Sequence, residues 1–384
     1  MPYDDPFLKE LGGYLKAVEP GQRERADAWA TAIGLQKVDG LEPSHFLFET
    51  AKQHIEGRLT QRQVNRRIND YYLAKDETNP PDPDKEEPDK VSGLIVEVLN
   101  DGAFEFTPEY FISIHARIFK GVLPFAGKLR KVNIRKREWI LRDESVTYGS
   151  AETLKASLAR CFIDEREFDY SRLSAKKMIP HFCRFIAQIW QIHPFGEGNT
   201  RATAVFAIKY LRSLGFRAGN NMFKDNSWYF RNALARANFA DFRYGAKRDW
   251  SFLEAFFRNL LLGKDNLLKS RLMLIGMSER EREIVARSLG IGGGKNVRRM
   301  ATGEKTARKS SLKSSRKSSL KSSLKSKERI LSVMAARPDA ALPQVAKETG
   351  LSLAGVKKNV RQLKEEGRLR RVGPDKGGHW EVVK

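Results

Sequence analysis

His193-Pro-Phe-Gly-Glu-Gly-Asn-Thr-Arg201 is the stretch on which the reading of this chain turns. An apolar run over 179–192 precedes it and another over 202–211 follows, so the stretch reads as a loop that ends in a helix start. Gly196 and Gly198 let the backbone approach a ligand closely. A new helix at this point offers unpaired N–H groups and the positive end of its dipole, an anion site suited to phosphate. Arg201 adds a planar, permanently charged phosphate donor. Glu197 supplies a hard oxygen ligand for Mg2+, which takes one or two carboxylates together with phosphate oxygens. His193 is the ordinary base near neutral pH. A base, a metal carboxylate and a phosphate cradle this close together point to phosphoryl or nucleotidyl transfer.

Outward from that loop, the chain has 384 residues, which suggests two or three domains. An apolar fraction of 41% excludes wholesale disorder. No apolar run approaches the ~20 residues of a membrane-spanning helix, and the acidic opening residues resemble no signal peptide. Two cysteines, Cys161 and Cys183, make neither a disulfide scaffold nor a four-ligand zinc site, so a cytoplasmic location is expected. The net charge of +23 suggests a polyanionic partner, but it is unevenly placed: residues 293–327 carry +11, residues 328–384 carry +5, and the rest only +7.

The organisation follows from composition and periodicity. Residues 1–19 read as an N-terminal extension and 20–75 as a helical segment, with Ser44 and Gly57 as cap residues of one helix. The Pro- and charge-rich stretch 76–90 predicts a linker without a helix. A mostly helical body follows over 91–285, interrupted at 127–142 by an apolar/polar alternation that predicts a β-hairpin. Residues 286–327, rich in Ser and Lys, predict a disordered basic linker. Residues 328–384 give helix, helix-turn-helix with Ser352 as N-cap, and two short strands, the pattern of a winged helix. Its third helix and wing carry Lys357, Lys358, Arg361, Lys364 and Arg370, which suit contacts to a DNA backbone through 295–384; docking to protein is the other reading of such a module.

The stretch 193–201 resembles the motif of the Fic family, HPFx(D/E)GN(G/K)R, at seven of its eight specified positions. Thr200 departs from it, and Ala204 stands where many members carry a second Arg. The resemblance covers roughly residues 90–270 and implies a mainly α fold, a Fic-type helical bundle with a small β-hairpin flap at 127–142 that docks a target protein. It implies transfer of AMP from ATP, with Mg2+, to a hydroxyl of that target. In this reading His193 is the general base and Glu197 the metal ligand; Asn199 and Arg201 bind phosphates with the backbone from Gly196 to Thr200. Tyr229 and Asn232 are candidates for base contacts, with a core role as the alternative for Tyr229. Residues 20–75 resemble the antitoxin-like segments of some members. Glu56 and Gly57 match the end of their inhibitory motif, although Lys52 replaces its Ser/Thr, and Arg201 is the cation expected to meet Glu56.

Several features read as structural. His45, His54, His115, His181 and His379 show no metal spacing, and the phosphate-loop lookalike 290–295 follows no strand. The basic residues Lys128, Arg130, Lys131, Arg135, Lys136 and Arg137 form a solvated hairpin face or a docking surface for an acidic target. Three other functions stay open: a transcriptional regulator whose body only senses nucleotide, a transferase using another nucleotide, and removal of AMP. A homo-oligomeric state stays open as well.

Overall fold

The computed structural model describes Tyr14 and residues 19–74, 81–216, 218, 221–288, 327–351, 353–365, 368–372 and 379–382. The basic linker beyond Ser288, Ser352 and most of the N-terminal extension lie outside the described residues. The chain divides into two compact units, 1–304 and 305–384, each with its own core.

The first unit is helical throughout. Its elements are α1 (Pro20–Gln36), α2 (His45–Ile55), α3 (Gln61–Leu73), α4 (Glu86–Asn100), α5 (Pro108–Ile118), α6 (Leu154–Arg166), α7 (Ala175–Ile192), α8 (Asn199–Ser213), α9 (Asn221–Ala237), α10 (Ser251–Leu262) and α11 (Glu279–Ser288). Helices α7 and α8 sit at the centre; the face of α8 from Ala202 to Leu211 is entirely buried. Helix α1 packs on α4 and α9, and its Ala26, Trp29, Ala30 and Ile33 enter the same core as Phe206 and Phe230. Residues 20–75 and 91–285 therefore share one core. Gly34 makes the closest approach: a Cβ there would stand 2.3 Å from Lys224 Cα of α9. Gly34→Ala should force the two helices apart and cost about 1–3 kcal/mol; an unchanged denaturant midpoint would show that α1 is not clamped to α9.

Two expectations need correction. The stretch 76–90 is not helix-free: a short 3-10 turn, Pro83–Lys85, leads into α4 at Glu86. Pro88 falls in the first turn of α4, where a missing N–H breaks no helical bond. Glu86, Glu87 and Asp89 in that turn meet the positive end of the helix dipole. Buried Asp89 also accepts from Ser44 N–H at 2.8 Å and from Tyr72 hydroxyl at 2.7 Å. The second correction concerns 127–142, where no strand forms. The run bends at 131–132 and is extended at Glu138, and a 3-10 turn, Trp139–Leu141, follows with Arg142 and Asp143 in left-handed conformation. The alternation does not by itself supply a partner strand. Val132 is 67% exposed, so one of the two faces never gains the burial that drives strand pairing.

The second unit has α12 (residues 327–336), α13 (Leu342–Thr349), α14 (Leu353–Glu365) and two antiparallel strands, β1 (Leu369–Val372) and β2 (His379–Val382). Leu369 faces Val382 and Arg371 faces Trp380. Gly350, left-handed at φ 68°, ends α13. Ile330, Met334, Val345, Val356, Leu363 and Trp380 form the core. Among the described residues no helix is long and apolar enough to cross a membrane.

Candidate active site

The loop between α7 and α8 is fixed from several directions. His193 ends α7 in left-handed conformation (φ 51°), which turns the chain into the loop. Asn199 closes the loop on itself: its Oδ1 accepts from Phe195 N–H at 3.0 Å and its Nδ2 donates to Phe195 carbonyl at 2.8 Å. That side chain thus braces the loop, and Asn199 also lines the cleft at the first turn of α8. Gly198 takes φ 73°, and a Cβ there would stand 2.3 Å from the Phe119 ring, so only glycine fits. A Cβ on Gly196 would meet Phe125 at 3.5 Å, ordinary contact, so close packing does not dictate that glycine. Thr200 accepts from Trp190 Nε1 at 2.9 Å.

Two braces were invisible to motif reading. Arg130, expected on a solvated face, is buried. Its Nε donates to His193 carbonyl at 2.8 Å, its NH1 to Val132 carbonyl at 2.7 Å, and its NH2 to Gly149 carbonyl. His115, read as a scattered structural histidine, lies under the loop with its ring stacked on Phe195 at 3.7 Å. Its Nδ1 accepts from Gly127 N–H at 2.9 Å, so Nε2 carries the proton and donates to Glu197 carbonyl at 3.0 Å. Burial holds His115 neutral, with a pKa pushed down to about 4. The signal that could have found Arg130 is its spacing of two and four residues from Val132 and Ile134, which puts it on their face of the run.

The reactive geometry centres on His193. Its side chain is buried, with Nδ1 3.1 Å from Trp190 carbonyl. A carbonyl can only accept, so Nδ1 bears the proton and Nε2 keeps the lone pair. Nε2 has no hydrogen-bond partner among the described residues. Burial pushes the imidazole pKa well below its ordinary value and the Lys136 charge acts the same way; the Trp190 bond opposes them, and the Arg130 and Arg231 charges add weaker pushes downward. The group is a neutral base at pH 7.

His193 lines a cleft of about 250 Å3 with Asp39, Lys136, Glu138, Trp190, Gly198, Asn199, Thr200 and Arg231. Part of that volume is open to solvent, and the enclosed part is small. Arg201 explains part of that. Its guanidinium is buried and paired: NH2 donates to Glu87 Oε1 at 2.8 Å and NH1 to Gln36 Oε1 at 3.0 Å, while Nε forms an ion pair with Asp39 Oδ2 at 2.9 Å without hydrogen-bond geometry. All three partners belong to the chain before residue 91. Glu56, expected to meet Arg201, does not: its carboxylate accepts from Tyr14 hydroxyl at 2.6 Å and pairs with Arg58. Gly57 serves as the left-handed residue after α2, at φ 79°.

Tyr229 takes the core position given as its alternative, and Asn232 is buried on the same helix. Both are buried, with Tyr229 hydroxyl donating to Phe252 carbonyl at 3.1 Å and Asn232 Nδ2 to Ser270 Oγ at 3.1 Å. Between them in sequence, Arg231 turns to the cleft and pairs with Glu138 at 3.0 Å. Glu197 is the exposed carboxylate of the loop, its side chain 53% accessible and 3.9 Å from Lys136 Nζ. Among the described residues no group of three or more acids, histidines or cysteines could hold a metal. One exposed carboxylate fits Mg2+ carried mainly by substrate phosphates, and does not fit an all-protein cage.

In the second unit Lys357, Arg361 and Lys364 are exposed along α14, and Arg370 pairs with Glu381 at 2.6 Å. Lys358 lies on the same helix, but its side chain is outside the described ones.

The Fic/DOC family model matches residues 105–211, and the model for winged helix-turn-helix DNA-binding domains matches 324–370. A probable protein adenylyltransferase of Sinorhizobium fredii is 28% identical over 140 residues, covering 35% of this chain and 69% of that one. A Fic family protein from Desulfovibrio desulfuricans aligns over 98% of this chain and 94% of its own, at 12% identity and a TM-score of 0.41. A Fic domain containing signaling protein from Bacteroides thetaiotaomicron aligns over 79% and 100%, at 15% identity and a TM-score of 0.36.

Proposed function

From a chain that carries a Fic/DOC family domain at 105–211 and a winged helix-turn-helix domain at 324–370, we propose a protein adenylyltransferase restrained by its own N-terminal segment. The observation that carries this reading is the neutral, partnerless Nε2 of His193 at the mouth of a helix N-terminus. ATP brings its phosphates to the α8 N-terminus and Arg201. The target hydroxyl gives its proton to His193 Nε2 as its oxygen bonds to the α-phosphorus. The bond from that phosphorus to the bridging oxygen breaks, pyrophosphate leaves, and AMP stays on the target oxygen. The imidazolium later returns its proton to solvent. His193 can accept that proton because Trp190 carbonyl holds the other nitrogen protonated. Glu197 would hold Mg2+, which neutralises phosphate charge when bound. The run before Trp139 is held on one side, with Lys136 N–H bonded to Ser145 Oγ at 3.1 Å and Glu138 N–H to Glu144 carbonyl at 3.0 Å; its other edge is where a target segment would add.

Restraint comes from Asp39 and Glu87 rather than Glu56. Their carboxylates occupy the cation on which a phosphate has to land. The test is incubation of the full chain with α-labelled ATP and Mg2+, followed as label on protein. Absence of label in wild type and in restraint-relieved variants would favour a nucleotide sensor instead.

The winged helix is proposed to dock on duplex DNA through α14. Lys357, Arg361 and Lys364 recur at the spacing of one helix face and are exposed. Each phosphate contact contributes a salt slope of about one. Lys357→Ala and Arg361→Ala should each weaken binding across unrelated duplexes and flatten the salt dependence by about that amount. Fluorescence anisotropy over a salt series measures it; an unchanged slope in both variants would point to protein docking.

A further inference from the structure

A second polar atom beside the base has no part in the reading above. Tyr148 is 9% exposed, and its hydroxyl, like His193 Nε2, has no hydrogen-bond partner among the described residues. The two rings are in contact, with centroids 4.2 Å apart and planes inclined at 40°. Trp190 touches the same phenol ring edge-on at 5.7 Å. Glu138 and Arg231 lie close enough to act on its ionisation. His193, Trp190, Glu138 and Arg231 all line the cleft, so Tyr148 packs directly against its wall. Its backbone is fixed on both sides: Thr147 carbonyl accepts from Gln191 Nε2 at 3.1 Å, and Gly149 N–H donates to Gln191 carbonyl at 3.2 Å.

A buried phenol without a partner costs free energy that folding does not need to spend, since Phe would fill the same space. A phenol so buried also keeps its proton and is a donor. The geometry points to Tyr148 and His193 as a two-point site for the incoming hydroxyl: His193 Nε2 takes its proton while Tyr148 donates a hydrogen bond to its oxygen. A hydroxyl has one proton and two lone pairs. One lone pair receives the Tyr148 bond, and the other is left to attack phosphorus. A neutral amine has a single lone pair and cannot do both, and a thiol accepts weakly, so the pair selects oxygen nucleophiles. The bond changes are those of the proposed transfer; Tyr148 neither gains nor loses a proton. This inference rests on the adenylyltransferase reading, which is tested separately.

The experiment compares the full chain as wild type, Tyr148→Phe and His193→Ala. Pyrophosphate release from ATP and self-labelling are followed alongside thermal unfolding and a crystal structure of each protein. Expected for Tyr148→Phe is a melting midpoint at or above wild type, a nucleotide KM within about twofold, and a kcat lower by roughly 10–100-fold. A purely structural role would lower the midpoint instead. Wild-type kcat in Tyr148→Phe, with His193→Ala inactive, overturns the role of Tyr148 and leaves the transferase reading standing. If neither these proteins nor their Asp39→Asn forms release pyrophosphate, the transferase reading fails and the crystal structures decide. An ordered water within hydrogen-bond distance of both Tyr148 hydroxyl and His193 Nε2, lost or displaced in Tyr148→Phe, upholds the two-point site. Its absence from wild type sinks it.

Discussion

His193→Ala should reduce label transfer from ATP by roughly 10²–10⁴-fold, the range of a positioned general base. The residual rate comes from alignment on the α8 N-terminus and from Arg201, which the substitution leaves in place. Nucleotide affinity should change little, because the imidazole faces the incoming hydroxyl and not the phosphates in this reading. The fold should tolerate the change: Nε2 has no partner to strand, and the Trp190 carbonyl lies at a helix end. The pH profile adds a check that loss of activity alone does not. Catalysis needs the neutral imidazole, so activity falls as pH drops through the pKa of His193. That pKa lies well below the ordinary value through burial, chiefly, and the Lys136, Arg130 and Arg231 charges. The acid limb of kcat/KM should therefore sit below that of an ordinary histidine near 6.5, and wild type should hold its rate through mildly acidic pH. An acid limb near 6.5, or label transfer that survives His193→Ala, would remove His193 from the role of base.

Much of this site was legible because its chemistry is local. A histidine, two glycines, a carboxylate and an arginine lie within a single short stretch, and the helices on either side are set by apolar spacing. What reads poorly is whatever depends on a partner far along the chain. The alternation of Leu129, Val132 and Ile134 suggests a strand, but pairing needs a second arm, and the burial of Arg130 beneath the loop takes the run elsewhere. Pro88 looked like a helix breaker because its neighbours in sequence are prolines and charges. Its position in a first turn, with Asp89 held by Ser44 and Tyr72 of other helices, reverses that. Tyr229 and Asn232 sit on the right helix but point into the core, and Arg231 between them takes the cleft; a three-residue ambiguity on a helix spans most of its circumference. Glu56 matched part of a motif whose Ser/Thr is absent, and it pairs with Tyr14 and Arg58. Tyr148 and His115 carry no motif; only contacts across the fold reveal them.

Asp39→Asn should raise the apparent affinity for ATP by roughly 10–100-fold, and Glu56→Gly should not. Arg201 is 1% exposed, donates to Gln36 and Glu87, and forms an ion pair with Asp39. A nucleotide phosphate competes with those carboxylates for the same guanidinium, so their strength subtracts directly from substrate binding. Contacting charges of one ion-pair network couple by about 0.5–3 kcal/mol. At about 1.4 kcal/mol per tenfold, the upper part of that range accounts for the predicted gain on losing the Asp39 charge. Asp39 is the better of the two to change, since it lines the cleft with His193 and Thr200 whereas Glu87 does not. Changing one alone also protects the fold. Glu87 still compensates the buried guanidinium in Asp39→Asn, while removing both carboxylates would leave a buried charge unpaired at a cost of about 3–5 kcal/mol. The amide keeps the shape of the side chain and removes the negative charge, so a gain reports on electrostatics rather than on an enlarged cleft. Titrating labelled ATP against wild type, Asp39→Asn and Glu56→Gly separates the candidates. A gain confined to Glu56→Gly would return the restraint to the residue the motif suggested. A gain in neither would mean that Arg201 releases its carboxylates at little expense, and that the N-terminal helices serve this chain as core and not as a brake.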